Sequence, residues 1–225
     1  MIKHAKTSQT QTGFTLVEMS IVLAIVALLM GGLLPTLSSQ MEQRRRSETQ
    51  NALNEIKNAL IGFAIVNGTL PCPANATIAT GSANAGVADC TVTTGVIPWA
   101  TLGTSETDAW GHRFTYTASS SFTNTASPFT LNSNGALTVK SAASGGSTIA
   151  SAIPAVFVSH GTNGFGAYTP QGTQLSVSSD QDEVDNSNGG TTFVSHDFTP
   201  TFDDQVVWIS PNILFNRMVA AGKLP

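Results

Sequence analysis

Three regimes of hydrophobic patterning follow one another along the chain. Residues 1–13, MIKHAKTSQTQTG, are polar and carry Lys3 and Lys6. From Phe14 to Leu34 the sequence reads FTLVEMSIVLAIVALLMGGLL, an apolar run with a single charge, Glu18. At about 1.5 Å rise per residue this run makes a helix of roughly 30 Å, the thickness of bilayer hydrocarbon, so the pattern predicts a membrane-spanning helix. A buried core helix is the competing reading, but the run is too long and uninterrupted for a water-soluble fold of this size. A secretory signal peptide would place its small-residue cleavage site after the apolar stretch. Here the small residue, Gly13, comes first, so any removed segment is the polar leader and the apolar helix stays.

Beyond Pro35 the apolar positions thin to a stripe. Leu53, Ile56, Leu60 and Phe63 recur at helical spacing, flanked by Ala52, Ala59 and Ala64, while Glu48, Asn51, Glu55 and Lys57 take other faces. Asn67-Gly68 is a helix stop and Pro71 forbids continuation soon after. The spacing therefore predicts an amphipathic continuation over 35–67, bent near Gly31-Gly32 and Pro35. Residues 68–225 change character, with Ser, Thr, Gly and Asn between short β-prone runs. The clearest runs are 113–117, 129–131, 136–139, 155–159 and 205–209, with Asn134-Gly135 as a hairpin turn. Ser119–Ser127 and Ser141–Ser151 read as loops. Ser210 as N-cap, Pro211 at the first helical position and Gly222 beyond the last turn predict a terminal helix. An α+β head follows, in which an antiparallel sheet covers the stripe of the long N-terminal helix.

Composition narrows the function classes. Of 225 residues, 41% are hydrophobic and 11% charged, which excludes a disordered chain. The balance of 10 Lys+Arg against 14 Asp+Glu argues against an electrostatic footprint on DNA. From residue 58 onward, Arg113, Lys140, Arg217 and Lys223 are the basic residues, opposed mainly by acids. The Arg44-Arg45-Arg46 run, close beyond the apolar block, fits lipid phosphates or pairing with Glu42 or Glu48 better than DNA. The positive-inside count slightly favours that run over Lys3 and Lys6 as the cytoplasmic side.

Glu18 is the anomaly. A carboxylate in a spanning helix costs about 2.5–3.5 kcal/mol on insertion scales and asks for a partner. It lies one turn beyond Phe14. A chain cut after Gly13 would expose the α-amine of Phe14 as a cation at the same depth, available to the Glu18 of a neighbouring subunit. A glutamate snorkelling to the interface is the plain alternative.

Gly13-Phe14-Thr15-Leu16-Val17-Glu18 resembles the processing and methylation motif of type IV prepilins and type II secretion pseudopilins. The resemblance implies cleavage after Gly13 by a prepilin peptidase, N-methylation of Phe14, and a docking role for Glu18 in filament assembly. It places Pro35 where many members carry a helix-kinking proline. It also puts the leader in the cytoplasm, against the charge count, with a single-pass anchor in the bacterial inner membrane and a periplasmic head. After assembly the head would lie in an extracellular or periplasmic filament.

In an oxidising periplasm Cys72 and Cys90 are expected to bond, worth about 3 kcal/mol in the chain-entropy model. Two free buried thiols are the alternative, and no nearby histidine supports a metal site. The head carries a second resemblance. The segment from Asp108 to Tyr116, the Gly161–Gly164 turn and Asp203-Asp204-Gln205-Val206-Val207-Trp208 are similar to segments of major pseudopilins, relatives that hold Ca²⁺ in this region. Here Ala109 replaces the usual proline, the intervening loop is longer, and the turn lacks the usual acid.

The densest oxygen cluster is Asp180-Gln181-Asp182-Glu183-Val184-Asp185-Asn186. Alternate carboxylates in a loop can converge on a hard cation, so Asp180, Asp182 and Asp185, with Asp203 and Asp204, are candidate Ca²⁺ ligands. A solvated acidic loop is the competing reading, as the run lacks the glycine and terminal glutamate of an EF-hand. Gly161-x-x-Gly164-x-Gly166 lacks a following Lys-Ser/Thr and reads as a turn. His160, His196 and Asp197 stand among many serines without a Gly-x-Ser-x-Gly elbow, so catalysis is not expected.

The expected function is a structural subunit of a type IV pilus or type II secretion pseudopilus. Its partners would be the prepilin peptidase, the inner-membrane assembly platform, other pilin or pseudopilin subunits, and the bilayer before assembly. The alternative is a minor pilin whose head is a tip binding, adhesion or DNA-uptake module. A membrane-anchored periplasmic enzyme is the third reading.

Overall fold

A computed structural model of the chain describes residues 13–224, with the side chains of residues 30–37 outside the description. The leader up to residue 12 and the side chain of Pro35 therefore lie outside the described residues. The elements in order are α1 (Leu16–Asn67), β1 (Thr94–Val96), α2 (Trp99–Leu102), β2 (Thr115–Ala118), α3 (Ser120–Thr123), β3 (Leu137–Lys140) and β4 (Thr148–Ile153). They continue with β5 (Ala155–Ser159), α4 (Gln181–Ser187), β6 (Thr192–Val194), β7 (Gln205–Ile209) and α5 (Pro211–Ala220). Two compact units divide the chain between Arg44 and Arg45.

The first unit is helical from Leu16. Its start is a reciprocal cap: the Glu18 backbone N–H donates to Thr15 Oγ1 at 3.2 Å, and the Thr15 backbone N–H donates to Glu18 Oε2 at 2.8 Å. Thr15-x-x-Glu18 is a capping box, which satisfies two donors that a helix start otherwise leaves open. The apolar side chains that follow stand open; Leu16, Leu23 and Leu28 are 90%, 68% and 78% exposed. Among the described residues no helix is long and apolar enough to cross a membrane. The apolar run of the sequence continues through residues 30–34, whose side chains are outside the description.

The second unit, Arg45–Pro225, is layered. The remainder of α1 contributes Leu53, Ile56, Leu60 and Ala64, all fully buried. Helix α1 ends at Asn67, and Gly68 takes φ 77° with its N–H on the Ala64 carbonyl, the left-handed stop that glycine adopts without a Cβ penalty. A four-stranded antiparallel sheet, order β1-β2-β5-β7, packs on that stripe through Tyr116, Phe157 and Ile209. Alternate residues of β5 and β7, Val156, Val158, Val206 and Trp208, point to the opposite face. There they meet a second sheet, order β4-β3-β6, in which β3 pairs antiparallel with β4 and parallel with β6.

This second sheet departs from the single sheet expected. The 129–131 run is not a strand: Phe129 packs on Phe122 with ring centroids 4.9 Å apart, so its apolarity serves a core cluster. Asn134-Gly135 consequently joins no hairpin. Strand β4 starts at Thr148, inside the end of the Ser141–Ser151 stretch read as a loop, where an exposed face hides its hydrophobic signal. The runs 155–159 and 205–209 are β5 and β7, and α5 begins at Pro211.

Cys72 and Cys90 form a disulfide. The loop they close is anchored by Arg113, which is fully buried. Its Nε donates to Glu106 at 2.8 Å, Nη1 to the carbonyls of Ala76 and Ile78, and Nη2 to Thr80 Oγ1 and the Pro170 carbonyl. All five guanidinium protons are thereby used, and the Trp99 ring lies 4.6 Å from the guanidinium carbon. Burial of such a charge is tolerable because nothing on it is left open. Reduction of Cys72–Cys90, or the Cys72→Ser/Cys90→Ser pair, is expected to lower the stability of this unit by about 3 kcal/mol in denaturant titration. An unchanged midpoint contradicts a stabilising role for the bond.

Candidate functional site

The three head segments of the second resemblance meet in space. Strand β5 carries Ser159 and runs directly into His160 and Gly161, the lead into β7 carries Asp203 and Asp204, and the turn before β2 carries Asp108 and His112. Asp108 Oδ1 accepts from the backbone N–H groups of Trp110 and His112, and its Oδ2 accepts from Ser159 Oγ at 2.6 Å. His112 Nδ1 lies 3.2 Å from the Gly161 carbonyl. These contacts hold the loop after β5 in place.

At the far side of that loop one carboxylate oxygen from each of Glu183, Asp203 and Asp204 lies within 4.8 Å of the others. Glu183 is fully buried and Asp204 nearly so, and each acid uses one oxygen only. Glu183 Oε1 accepts from Asn163 Nδ2 at 2.6 Å, Asp203 Oδ2 from the Asn163 backbone N–H at 3.0 Å, and Asp204 Oδ2 from Asn186 Nδ2 at 2.8 Å. The second oxygens, Glu183 Oε2, Asp203 Oδ1 and Asp204 Oδ1, are buried without a hydrogen-bond donor. Buried acceptors rarely remain open in a folded protein, and three on neighbouring acids repel one another. Burial, then the charges of Asp204 and Glu183, push the Asp203 carboxyl up to about 6.

Gly161 fits the same cradle. It sits at φ 56°, and a Cβ there would stand 2.5 Å from Asp203 Cγ. A side chain at 161 would close the space that the acids share. Three convergent anionic oxygens lacking donors match the preference of a divalent cation for oxygen ligands. Glu183, Asp203 and Asp204 are the residues that would hold it.

The acidic run 180–186 is mostly helix α4, so its side chains follow a helical period instead of a loop's alternation. Glu183 and Asn186, three apart, face inward. Asp180 caps the helix through the Asp182 N–H, Asp182 accepts from the Ala143 N–H at 2.7 Å and meets His196 Nε2 at 3.1 Å, and Asp185 accepts from Gln181 at 2.9 Å. Of the five expected ligands, Asp203 and Asp204 are brought together, whereas Asp180, Asp182 and Asp185 are engaged elsewhere. Glu183 was missed; a helical reading of 181–187, with Asp180 as N-cap, would have singled it out. His196 stacks on Phe202 at 3.9 Å and meets the Asp197 carbonyl through Nδ1, so neither joins a hydrolytic arrangement.

Residues 8–34 match a family model described as the prokaryotic N-terminal methylation motif, the prepilin-type signature of type IV pilins and pseudopilins. The signature supports a pilin- or pseudopilin-like subunit, and such families are generally structural rather than enzymatic. It implies prepilin peptidase processing, assembly with other pilins and a membrane anchor. No curated protein and no solved structure matches the chain.

The raised Asp203 carboxyl sets a sign for acid dependence. Its folded value, about 6, exceeds the ordinary 3.8, so the metal-free fold binds this proton more tightly than the unfolded chain. The contribution is full below about 4 and is lost as pH rises through about 6. In chelator, the full-length chain in detergent is expected to melt higher at pH 5 than at pH 7, a difference that Asp203→Asn abolishes. Melting curves across that range, with and without chelator, check it; a difference that survives Asp203→Asn assigns it to another group.

Proposed function

We propose that the chain is a structural subunit of a type IV pilus or type II secretion pseudopilus, cleaved after Gly13, N-methylated at Phe14 and assembled through its N-terminal helix. The observation that carries this reading is the motif over residues 8–34, with Glu18 as the one charge in an apolar run whose side chains over residues 14–29 stand exposed. In the bilayer, residues 14–34 span the hydrocarbon, with the leader cytoplasmic and the head periplasmic. In the filament, lipid is exchanged for the helices of neighbouring copies, and Glu18 meets the terminal ammonium of an adjoining Phe14. A bend at Pro35 belongs to the same reading. In the single chain Glu18 accepts from Thr15, a contact that leaves its carboxylate on the helix surface and open to a neighbouring cation.

The head holds a divalent cation through Glu183, Asp203 and Asp204. Its role is structural: it joins α4 to the lead into β7, and Asn163 on the loop after β5 already bonds two of these acids.

A minor, tip-located subunit is the second reading. It is favoured by a cleft of about 560 Å³ beside the disulfide, lined by Thr93, Thr94, Thr117, Ser120 and Asn124 among others and by no charged side chain. Low copy number and labelling confined to filament ends would favour it over a subunit distributed along the shaft.

Mass spectrometry of the mature protein is expected to find N-methyl-phenylalanine at position 14. An intact leader in cells with active peptidase overturns the processing step. Glu18→Val is expected to leave membrane insertion intact and to reduce recovery of the chain in sheared filaments by at least tenfold. Normal incorporation of that variant removes the assembly role from Glu18.

A further inference from the structure

The cleft of about 560 Å³ draws its lining from separate parts of the head: the Cys72–Cys90 bridge, Thr94 of β1 and Thr117 of β2, Ser120 of α3, and Thr191 just before β6. Its volume falls within the roughly 300–1,000 Å³ of clefts that bury a small organic ligand. Among the described residues, the lining includes no charged and no aromatic side chain. Without a cation it offers no anchor to a phosphate or carboxylate, and without a ring no platform to a nucleobase. What remains is hydroxyl groups, each able to donate and to accept, beside small apolar surfaces from Pro73, Val92 and Leu137.

The hydroxyls of this wall are not all spent on the fold. Ser119 and Thr117, two apart on one face of the sheet, differ in this respect. Ser119 Oγ donates to the Ile153 carbonyl at 2.9 Å and accepts from the Ala136 N–H at 2.8 Å, so it fastens the wall. Thr117 is 5% exposed, and its Oγ1 has no hydrogen-bond partner. Buried hydroxyls ordinarily have one. Thr94, opposite Thr117 in the β1–β2 register, has its Oγ1 3.4 Å from the Gly189 carbonyl, beyond the usual O–H···O range of about 2.5–3.0 Å.

We propose that this cleft binds a neutral carbohydrate, a mono- or disaccharide unit of an uncharged glycan, with Thr94 and Thr117 as hydrogen-bonding partners. A sugar presents rotatable hydroxyls that meet those of the wall as donor or acceptor, and its C–H face suits the surfaces of Pro73, Val92 and Leu137. The Thr117 hydroxyl reaches the ligand by turning about χ1 between staggered wells. The inference rests on the cleft named for the second reading above and adds its ligand class; it holds wherever in a filament the subunit sits. A site built of neutral hydroxyls binds weakly, and repetition of the subunit would raise the avidity.

The test uses the full-length chain in a detergent without a sugar headgroup. It is screened against immobilised neutral, sialylated and sulfated glycans, then titrated with the free mono- and disaccharides of the best neutral ones. Saturable binding with Kd near or below about 1 mM is expected, neutral glycans being preferred over their acidic counterparts. Ser120→Trp, at an exposed position of the lining, is expected to fill the cleft and abolish binding with the melting temperature unchanged. Thr117→Val keeps the shape and removes the unpartnered hydroxyl; it is expected to weaken binding about fivefold, the loss of one hydrogen bond, without lowering the melting temperature. Should Ser120→Trp fail to fold, Thr117→Val decides. No saturable binding of the neutral set, preference for acidic glycans or for an uncharged peptide, or binding indifferent to both variants overturns the proposal. Filament-end labelling without glycan binding leaves the minor-subunit reading standing alone, whereas glycan binding by a subunit found along the shaft removes that reading and keeps this one.

Discussion

Strand β5 has no face turned to water, and the head is organised around that constraint. All five of its residues are buried. Ala155 and Phe157 serve the layer containing α1, while Val156 and Val158 serve the second sheet. A strand covered on both sides cannot slip by one residue without exchanging its two cores, so its register is set by packing on both faces at once. Its backbone pairs with β2 and β7 on either edge, which leaves its end as the place where polar groups can gather. Ser159, His160 and Gly161 emerge there against Asp108, Thr115 and Asp203. The apolar core thus positions the polar cluster.

Two buried charged groups in the head illustrate opposite solutions to desolvation. Arg113 enters the interior with every proton given to an acceptor and with Glu106 as counter-charge, so it acts as a fastener for the disulfide loop. The acids at 183, 203 and 204 enter with half of their oxygens unmet. The distinction between a structural ion and a binding site lies in that accounting, since an interior group with its valence filled has nothing to offer a ligand. Burial, with repulsion from the neighbouring carboxylates, explains the elevated proton affinity of Asp203, and the same unmet oxygens give the cluster its capacity for an external cation.

The N-terminal motif uses Glu18 in two settings. In the single chain it closes a capping box with Thr15, satisfying donors at the start of α1. Its carboxylate also stands near the head of the apolar run, inside the segment that matches the prepilin-type signature. The cap follows from the electropositive helix start, where an anion is stabilised, and the pairing proposed with a neighbouring terminus would draw on the same attraction. Opened apolar side chains along residues 16–29 need a cover that the single chain does not provide.

Much of this was legible in the primary structure because it depends on local or periodic signals. The apolar run, Gly13-Phe14 with Glu18, the stop at Asn67-Gly68, strands β5 and β7, and the Ser210-Pro211 start of α5 each rest on nearby residues whose chemistry admits few conformations, and the disulfide joins the chain's two cysteines. The second sheet was not legible, since β4 is half exposed and β6 pairs with β3 across some fifty residues. Nor was the ligand set. Glu183 sits among five neighbouring acids and amides of equal appearance, and only the turn of α4 selects it for the interior. In the sequence His160 is weighed with His196 and Asp197 for hydrolytic chemistry, whereas in the fold it is buried with its Nδ1 facing Asp204. Local chemistry decides which groups a segment carries; three-dimensional packing decides which of them lose water, and only a group that has lost water without gaining a partner becomes a site.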